Sequence, residues 1–290
     1  MAAIIYYITL PLIYAISLLP FWLLYLLSDF TYLVLYKLIG YRTKVVHTNL
    51  KNAFPEKSDR EIQQIQDRFY RYFCDLIFET LKTLSITPSV LKKRVKFKDV
   101  AVFEKFYQQK QSIIVVMGHL GNWELGGARF SQDPYHQLFV IYHPLRNKYF
   151  DGLVYHMRTR LGNKLYTMKN TFRGMISNRN EVTATAFIAD QTPSPKGAFW
   201  TQFLNQDTPI FGGTAKIAKK LNYPIVYVSI KRPKRGYYEV DSELLIETPG
   251  AYTEDEISET HTRRLDRDIQ ENPDIWLWTH RRWKHKRIKE

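Results

Sequence analysis

Cysteine is almost missing from this chain: Cys74 is the one thiol in 290 residues, so no internal disulfide can brace the fold. No HExxH helix, cysteine cluster or Gly-Lys-Ser/Thr phosphate loop is present, and no Gly-x-Ser-x-Gly elbow offers a serine nucleophile. Repeats and low-complexity tracts are absent as well, which removes solenoids and long flexible linkers. Acidic residues are scarce. Against 42 Lys and Arg stand 28 Asp and Glu, a net charge of +14 that calls for anionic partners. Residues 1–28 have no charged side chain at all.

That uncharged start defines the first element. The apolar run Ile4 to Leu27 is long enough for a membrane helix, which needs about 20 residues. Pro11 and Pro20 interrupt it and predict a kink or an interfacial hairpin. A cleaved leader fits less well, because no basic segment precedes the run and no small-residue cleavage site follows. Lys37, Arg42 and Lys44 lie on its carboxyl side, which predicts a cytoplasmic body by the positive-inside rule. The expected division is a membrane anchor over residues 1–36 and a catalytic domain over residues 37–290. Tyr and Trp, numbering 20 and 6, add to the interfacial character.

The body is organised around residues 112–127. Ile113 to Met117 is a short β-branched run of the kind that forms a buried strand. Gly118 ends it, His119 follows, Gly121 and Asn122 suit a turn, and a helix begins near Trp123. A His at the carboxyl edge of a strand sits where ligands gather in open α/β folds. Glu124 is five residues on. With His119 in the turn and Glu124 in the first helical turn, the two side chains can meet, and a carboxylate on one ring nitrogen leaves the other free to act as a base. A structural hydrogen bond or surface pair is the competing role for the same two residues. Backbone N–H groups between Gly118 and Gly121 are candidates for an oxyanion site.

Elsewhere the periodicity is plain. Ser58-x-x-Glu61 and Thr253-x-x-Glu256 are capping boxes that open helices. Gln137 to Tyr142 and Thr183 to Ala189 read as further buried strands, and Pro224–Ile230 with Tyr237–Glu247 as a strand pair. The Lys231–Gly236 connection between the last two reads as a basic, solvated turn. Residues 41–54 read as a basic connector ending at Pro55, and Lys92–Lys98 as a solvated edge strand. The chain closes on Trp276-Leu-Trp-Thr-His280 and a basic tail that includes Lys289.

The His-Leu-Gly-Asn-Trp-Glu stretch resembles the His-x4-Asp/Glu motif of the glycerolipid acyltransferase superfamily, and most of all its lipid A late acyltransferase branch. Further blocks follow in that family's order: Asn49-Leu-x-x-Ala-Phe-Pro55, Arg146-Asn147, Asp190-Gln191, Thr208-Pro209, and the closing Pro273-x-x-Trp-x-Trp-x-His-Arg-Arg-Trp-Lys284. The resemblance implies an α/β fold with a central mixed sheet flanked by helices and an amino-terminal membrane helix. It implies acyl transfer from an acyl carrier protein or acyl-CoA thioester to a hydroxyl of a lipid A precursor at the bacterial inner membrane. His119 would be the general base and Glu124 its partner, with no cofactor and no metal. Arg146, with Asn147 beside it, would meet the acceptor's anionic group, and Asp190 and Gln191 would stand at the site edge. Phe199 and Trp200, just before Thr208, fit either an acyl groove or ordinary core. A lysophospholipid or amino-lipid acceptor is the alternative within this chemistry. Outside it stands a membrane-tethered protein that binds anionic polymer. Nucleic acid is not expected as a partner: after an apolar anchor, the Trp- and Arg-rich tail suits an interface better.

Overall fold

The computed structural model describes residues 2–287, so Lys289 of the tail lies outside the described residues. The chain opens with two apolar helices, α1 (Ala2–Leu18) and α2 (Phe21–Tyr32), and a π-helical turn over Leu33–Leu38. Pro11 is carried inside α1, whereas the break falls at Pro20, which caps α2. Phe21–Leu38 is long and apolar enough to cross a membrane by length and composition. It is not detached from the body. Leu24, Ser28 and Tyr32 are buried on one face, while Trp22, Leu26, Phe30 and Leu33 are exposed on the other.

Helices α3 (Thr43–Ala53) and α4 (Asp59–Lys82) follow. The Ser58/Glu61 box caps α4, whose buried stripe runs from Ile62 through Phe69 and Leu76 at helical spacing. Next come α5 (Pro88–Arg94), strand β1 (Val95–Phe97), α6 (Ala101–Gln108), β2 (Ile113–Met117), α7 (Trp123–Phe130), β3 (Gln137–Tyr142), α8 (Lys148–Thr159), β4 (Lys164–Thr167), α9 (Thr171–Ser177) and β5 (Thr183–Ile188). The hairpin β6 (Phe199–Phe203) and β7 (Gln206–Ile210), then α10 (Gly213–Leu221), β8 (Ile225–Lys234), β9 (Tyr237–Ile246) and α11 (Glu254–Glu271), complete the order.

Seven strands form one mixed sheet in the order β1-β9-β8-β2-β5-β3-β4. Its pairs are parallel except the β8–β9 hairpin. The fold is therefore α/β, a central mixed sheet flanked by helices, as the sequence implies. Residues alternate between two cores: Ile114 and Val116 face α4 and α11, whereas Ile113 and Val115 face α7. Central β2 is buried on both faces, which is why its sequence is continuously apolar.

Two expectations change. The basic connection over 231–236 is solvated only in part: Pro233, Lys234 and Arg235 are exposed, whereas Arg232 is half-buried and Gly236 buried. Strand β8 runs on to Lys234, and Arg232 and Arg235 both reach the buried Asp75 of α4. Arg235 also pairs with Asp29 of α2 at 2.7 Å. A basic run is read as surface by default, but here two of its guanidiniums answer a carboxylate that would otherwise be buried alone. The 41–54 segment, a connector by composition, is largely the helix α3.

Candidate active site

The site forms where parallel strands β2 and β5 end. Met117 stands beside Ile188 in register, so His119 and Asp190, each two residues farther, emerge together. Asp190 Oδ1 lies 2.6 Å from His119 Nδ1, and Asp190 Oδ2 accepts the His119 backbone N–H at 2.7 Å. The same Oδ2 accepts Trp276 Nε1–H at 2.7 Å. Burial pulls the Asp190 carboxyl upward, but the His119 imidazole and these donors outweigh it and hold it down at about 2. The carboxylate is thus charged and fixed, and Nδ1 of His119 is its partner. On the far side of the ring, Nε2 lies 3.4 Å from the Gln191 amide nitrogen.

The turn itself is clamped. Leu277 N–H donates to His119 O at 3.1 Å, Gly121 N–H to Ile275 O at 2.9 Å, and Tyr72 Oη–H to Gly121 O at 2.6 Å. Gly121 has φ +61°, and a Cβ there would come within 2.7 Å of the Ile230 carbonyl oxygen, so only glycine fits. Because the His119 and Gly121 N–H groups already have partners, neither is free to serve as an oxyanion donor.

Glu124 does not bond to His119. Its carboxylate takes a bidentate pair with Arg158 of α8, with Nη2 at 2.5 Å and Nε at 3.1 Å. The reason is local: α7 starts at Trp123, whose ring meets the His119 ring edge-on at 4.8 Å. The ring neighbour of His119 on α7 is thus Trp123, and the Arg158 fork matches both Glu124 oxygens. The contact expected from Glu124 is made by Asp190. Sequence held one signal for this, since both residues stand two positions beyond an apolar strand.

In front of His119 lies a cavity of about 410 Å³. One face of five strands makes its floor, with Val115, Val140, Ala186, Val228 and Val240 among the contributors. Trp123, Gly126, Gly127 and Phe130 of α7 make the roof. Gln191, Glu124 and Arg158 are polar groups on its wall. Its size and apolar lining suit a small-molecule chain held by few polar contacts. Behind Asp190 is a second space of about 10 Å³, lined by His261, Thr262, Tyr227 and Arg282 among others.

The remaining candidates separate. Gln191 belongs to the site. Arg146 is exposed on the loop after β3, and its neighbours His143 and Leu145 line the front cavity. Asn147 caps α8, its Oδ1 accepting Tyr149 N–H at 3.0 Å. Thr208 is buried and accepts Trp283 Nε1–H at 2.7 Å, a packing role. Phe199 and Trp200 belong to the β6–β7 hairpin and do not line the cavity; Phe199 instead borders a shallow depression against α11. Strand faces, which no aromatic motif marks, supply the apolar lining. Among the described residues no group of three His, Cys, Asp or Glu side chains is arranged to hold a metal ion.

Comparison with known proteins gives the family. Residues 1–285 match the model of the bacterial lipid A biosynthesis acyltransferases. The chain belongs to that family. The lipid A biosynthesis palmitoleoyltransferase of Escherichia coli K12 is 22% identical over 251 residues, covering 86% of this chain and 81% of the relative. The lauroyltransferase of the same organism is 23% identical over 251 residues, covering 84% and 79%. A lipid A biosynthesis acyltransferase of Haemophilus influenzae is 24% identical over 246 residues, covering 84% and 78%. The blocks around His119, Asp190 and Trp276, far apart in the sequence, are those that converge in space.

Proposed function

We propose that this acyltransferase moves a fatty acyl chain from an acyl thioester to a hydroxyl of a lipid A precursor, with His119 as general base. The observation that carries the reading is the placing of one imidazole. Its Nδ1 is committed to a buried carboxylate, while its other edge borders an apolar cavity of about 410 Å³. In the proposed step, Nε2 takes the acceptor hydroxyl proton as the oxygen attacks the thioester carbonyl. Collapse of the tetrahedral intermediate breaks the carbon–sulfur bond, and the proton passes from His119 to the leaving thiolate. Asp190 fixes the tautomer and stabilises the imidazolium, the part first assigned to Glu124. The Glu124–Arg158 pair shapes the cavity wall beside the reacting centre. The cavity takes the acyl chain.

The donor in this reading is an acyl carrier protein or acyl-CoA. Arg146, exposed beside the cavity mouth, meets the anionic acceptor. The exposed apolar sides of α1 and α2 lie in the bacterial inner membrane, with the catalytic body on the cytoplasmic side.

The test uses full-length protein in mixed micelles with a phosphorylated lipid A precursor, acyl carrier protein thioester and product mass spectrometry. The wild type should add one acyl group. His119→Ala should lose at least about 10²-fold in rate while staying folded, with a lower melting temperature because buried Asp190 loses one partner. Acylation of a lysophospholipid alone would keep the chemistry and replace the acceptor. Binding of both lipids with no transfer would favour a tethered binding protein.

A further inference from the structure

Several buried carboxylates, Asp75, Glu79 and Asp268 among them, remain outside the mechanism. Glu79 of α4 has no exposed surface and lies on the side of the catalytic turn away from Asp190's strand. Its Oε2 accepts Asn122 Nδ2–H at 2.7 Å and Tyr238 Oη–H at 2.5 Å. Its Oε1 accepts Tyr25 Oη–H at 2.9 Å. Three partners on two oxygens satisfy the carboxyl group in a dry site, where burial pushes its pKa upward.

The partners make this more than buried polarity. Asn122 is the N-cap of α7: its Oδ1 accepts Leu125 N–H at 3.0 Å, and its backbone carbonyl accepts Gly126 N–H at 2.9 Å. The residue thus fixes where α7 begins, one step from Gly121 and three from His119. Tyr25 belongs to α2, in the apolar amino-terminal segment. It fits against Gly236 so closely that a Cβ there would meet Tyr25 Oη at 1.8 Å. Nearby Ser28 donates to Asp75 at 2.6 Å, and Arg235 joins Asp75 to Asp29. The helix that carries the exposed apolar face is therefore held to the body by polar contacts, one of which ends on Glu79, the partner of the residue that caps α7.

We infer that Glu79 is a positioning residue for the His119 turn, and that Tyr25 makes this positioning depend on how the amino-terminal helix is seated. Loss of the Tyr25 contact frees the Glu79 side chain, Glu79 no longer fixes Asn122, and the turn bearing His119 loses one of its restraints. A kcat effect rests on the base role proposed for His119; the restraint on the turn does not.

Two variants avoid removing the buried carboxylate. Tyr25→Phe deletes only the hydroxyl. Asn122→Ser keeps an oxygen able to cap α7 but is too short to reach Glu79. Each should lower kcat in mixed micelles by about five-fold, the usual net worth of one hydrogen bond, with little change in KM for donor or acceptor. Amide hydrogen exchange should quicken over residues 118–126 and stay unchanged in β2 and β5. Glu79→Gln, which can still accept from Asn122 and Tyr238, should be less impaired than Glu79→Ala. Wild-type exchange over 118–126 in both Tyr25→Phe and Asn122→Ser would overturn the inference. So would faster exchange spread evenly over the sheet, which would make Glu79 a packing residue alone. If His119→Ala retains transfer, the base assignment fails, and the exchange experiment still decides the Glu79 link.

Discussion

Two spaces flank the His119–Asp190 pair, and they differ in room rather than in polarity. The front one is roomy, about 410 Å³, and lined by strand faces and glycines, with one ion pair on its wall. The rear one, about 10 Å³, is tight, and Asp190, His261 and Arg282 line it together with apolar side chains such as Val116, Phe203 and Leu265. Burial moves two of those side chains downward, His261 to about 4 and Arg282 to about 10. In front, the protein has left room for something that is not protein. Behind, side chains fill the volume around a carboxylate that His119 and Trp276 hold. In the proposed mechanism that contrast favours Asp190 as the partner of His119 over Glu124, which faces the open side and pairs with Arg158.

The sharpest way to break that contrast is to exchange the two acids' roles. Asp190→Asn should lower kcat by about 10²- to 10⁴-fold, because an amide can present a donor to Nδ1 and select the wrong tautomer. Glu124→Gln should cost about ten-fold, mostly in KM, since Arg158 keeps one acceptor. Steady-state rates against donor and acceptor separate these effects. An equal loss of kcat in both variants would return Glu124 to the mechanism.

The front wall can be altered next. Gly127 lines the cavity, and the nearest atom to an added Cβ there is Asn163 Nδ2 at 3.5 Å. Gly127→Leu should shift donor preference to shorter acyl chains, by about four-fold for each methylene excluded. Competition among acyl thioesters of graded length measures it, and an unchanged preference would put the chain elsewhere. Gly127→Ala, which fits this space, should be neutral to slightly stabilising, as expected of a helical glycine.

The rear wall gives the smallest effect. His261 is buried neutral with its folded-state value below the ordinary 6.5, so the unfolded chain binds the extra proton first. Its contribution is complete above about pH 6.5 and is lost as pH falls toward 4, at most about 2–3 kcal/mol. Urea midpoints at pH 7.5 and pH 4.5 should diverge less in His261→Gln than in wild type. Equal divergence would mean that His261 is solvated in the folded protein.

Much of the frame could be read from the chain. Apolar runs marked β2, β3 and β5, and both capping boxes stand at the helix starts they signalled. His119 stood out because it follows a buried strand directly and lies between Gly118 and Gly121, and the structure puts it at the end of β2 beside the cavity. Asp190 was placed at the site edge, but its bond to His119 depends on the register of strands 71 residues apart, which local pattern does not encode. The expected contact of Glu124 with His119 is not made, because spacing gives reach without saying which cation arrives, and Arg158 comes from another helix. The apolar lining of the cavity was invisible for a different reason. It is one alternate face of several strands, and any one of them looks like ordinary core.

The clamp on the His119 turn also has a bearing on when the site comes into being. Trp276 shares the Asp190 carboxylate with His119, and Ile275 and Leu277 hold the turn by its backbone. All three follow every strand of the sheet in chain order. Until that stretch has docked, His119 and Asp190 have strands to stand on but lack three of the contacts that fix their geometry. A segment made after the whole sheet thus finishes the site, so a chain cut short before Ile275 would hold the His119 turn without them.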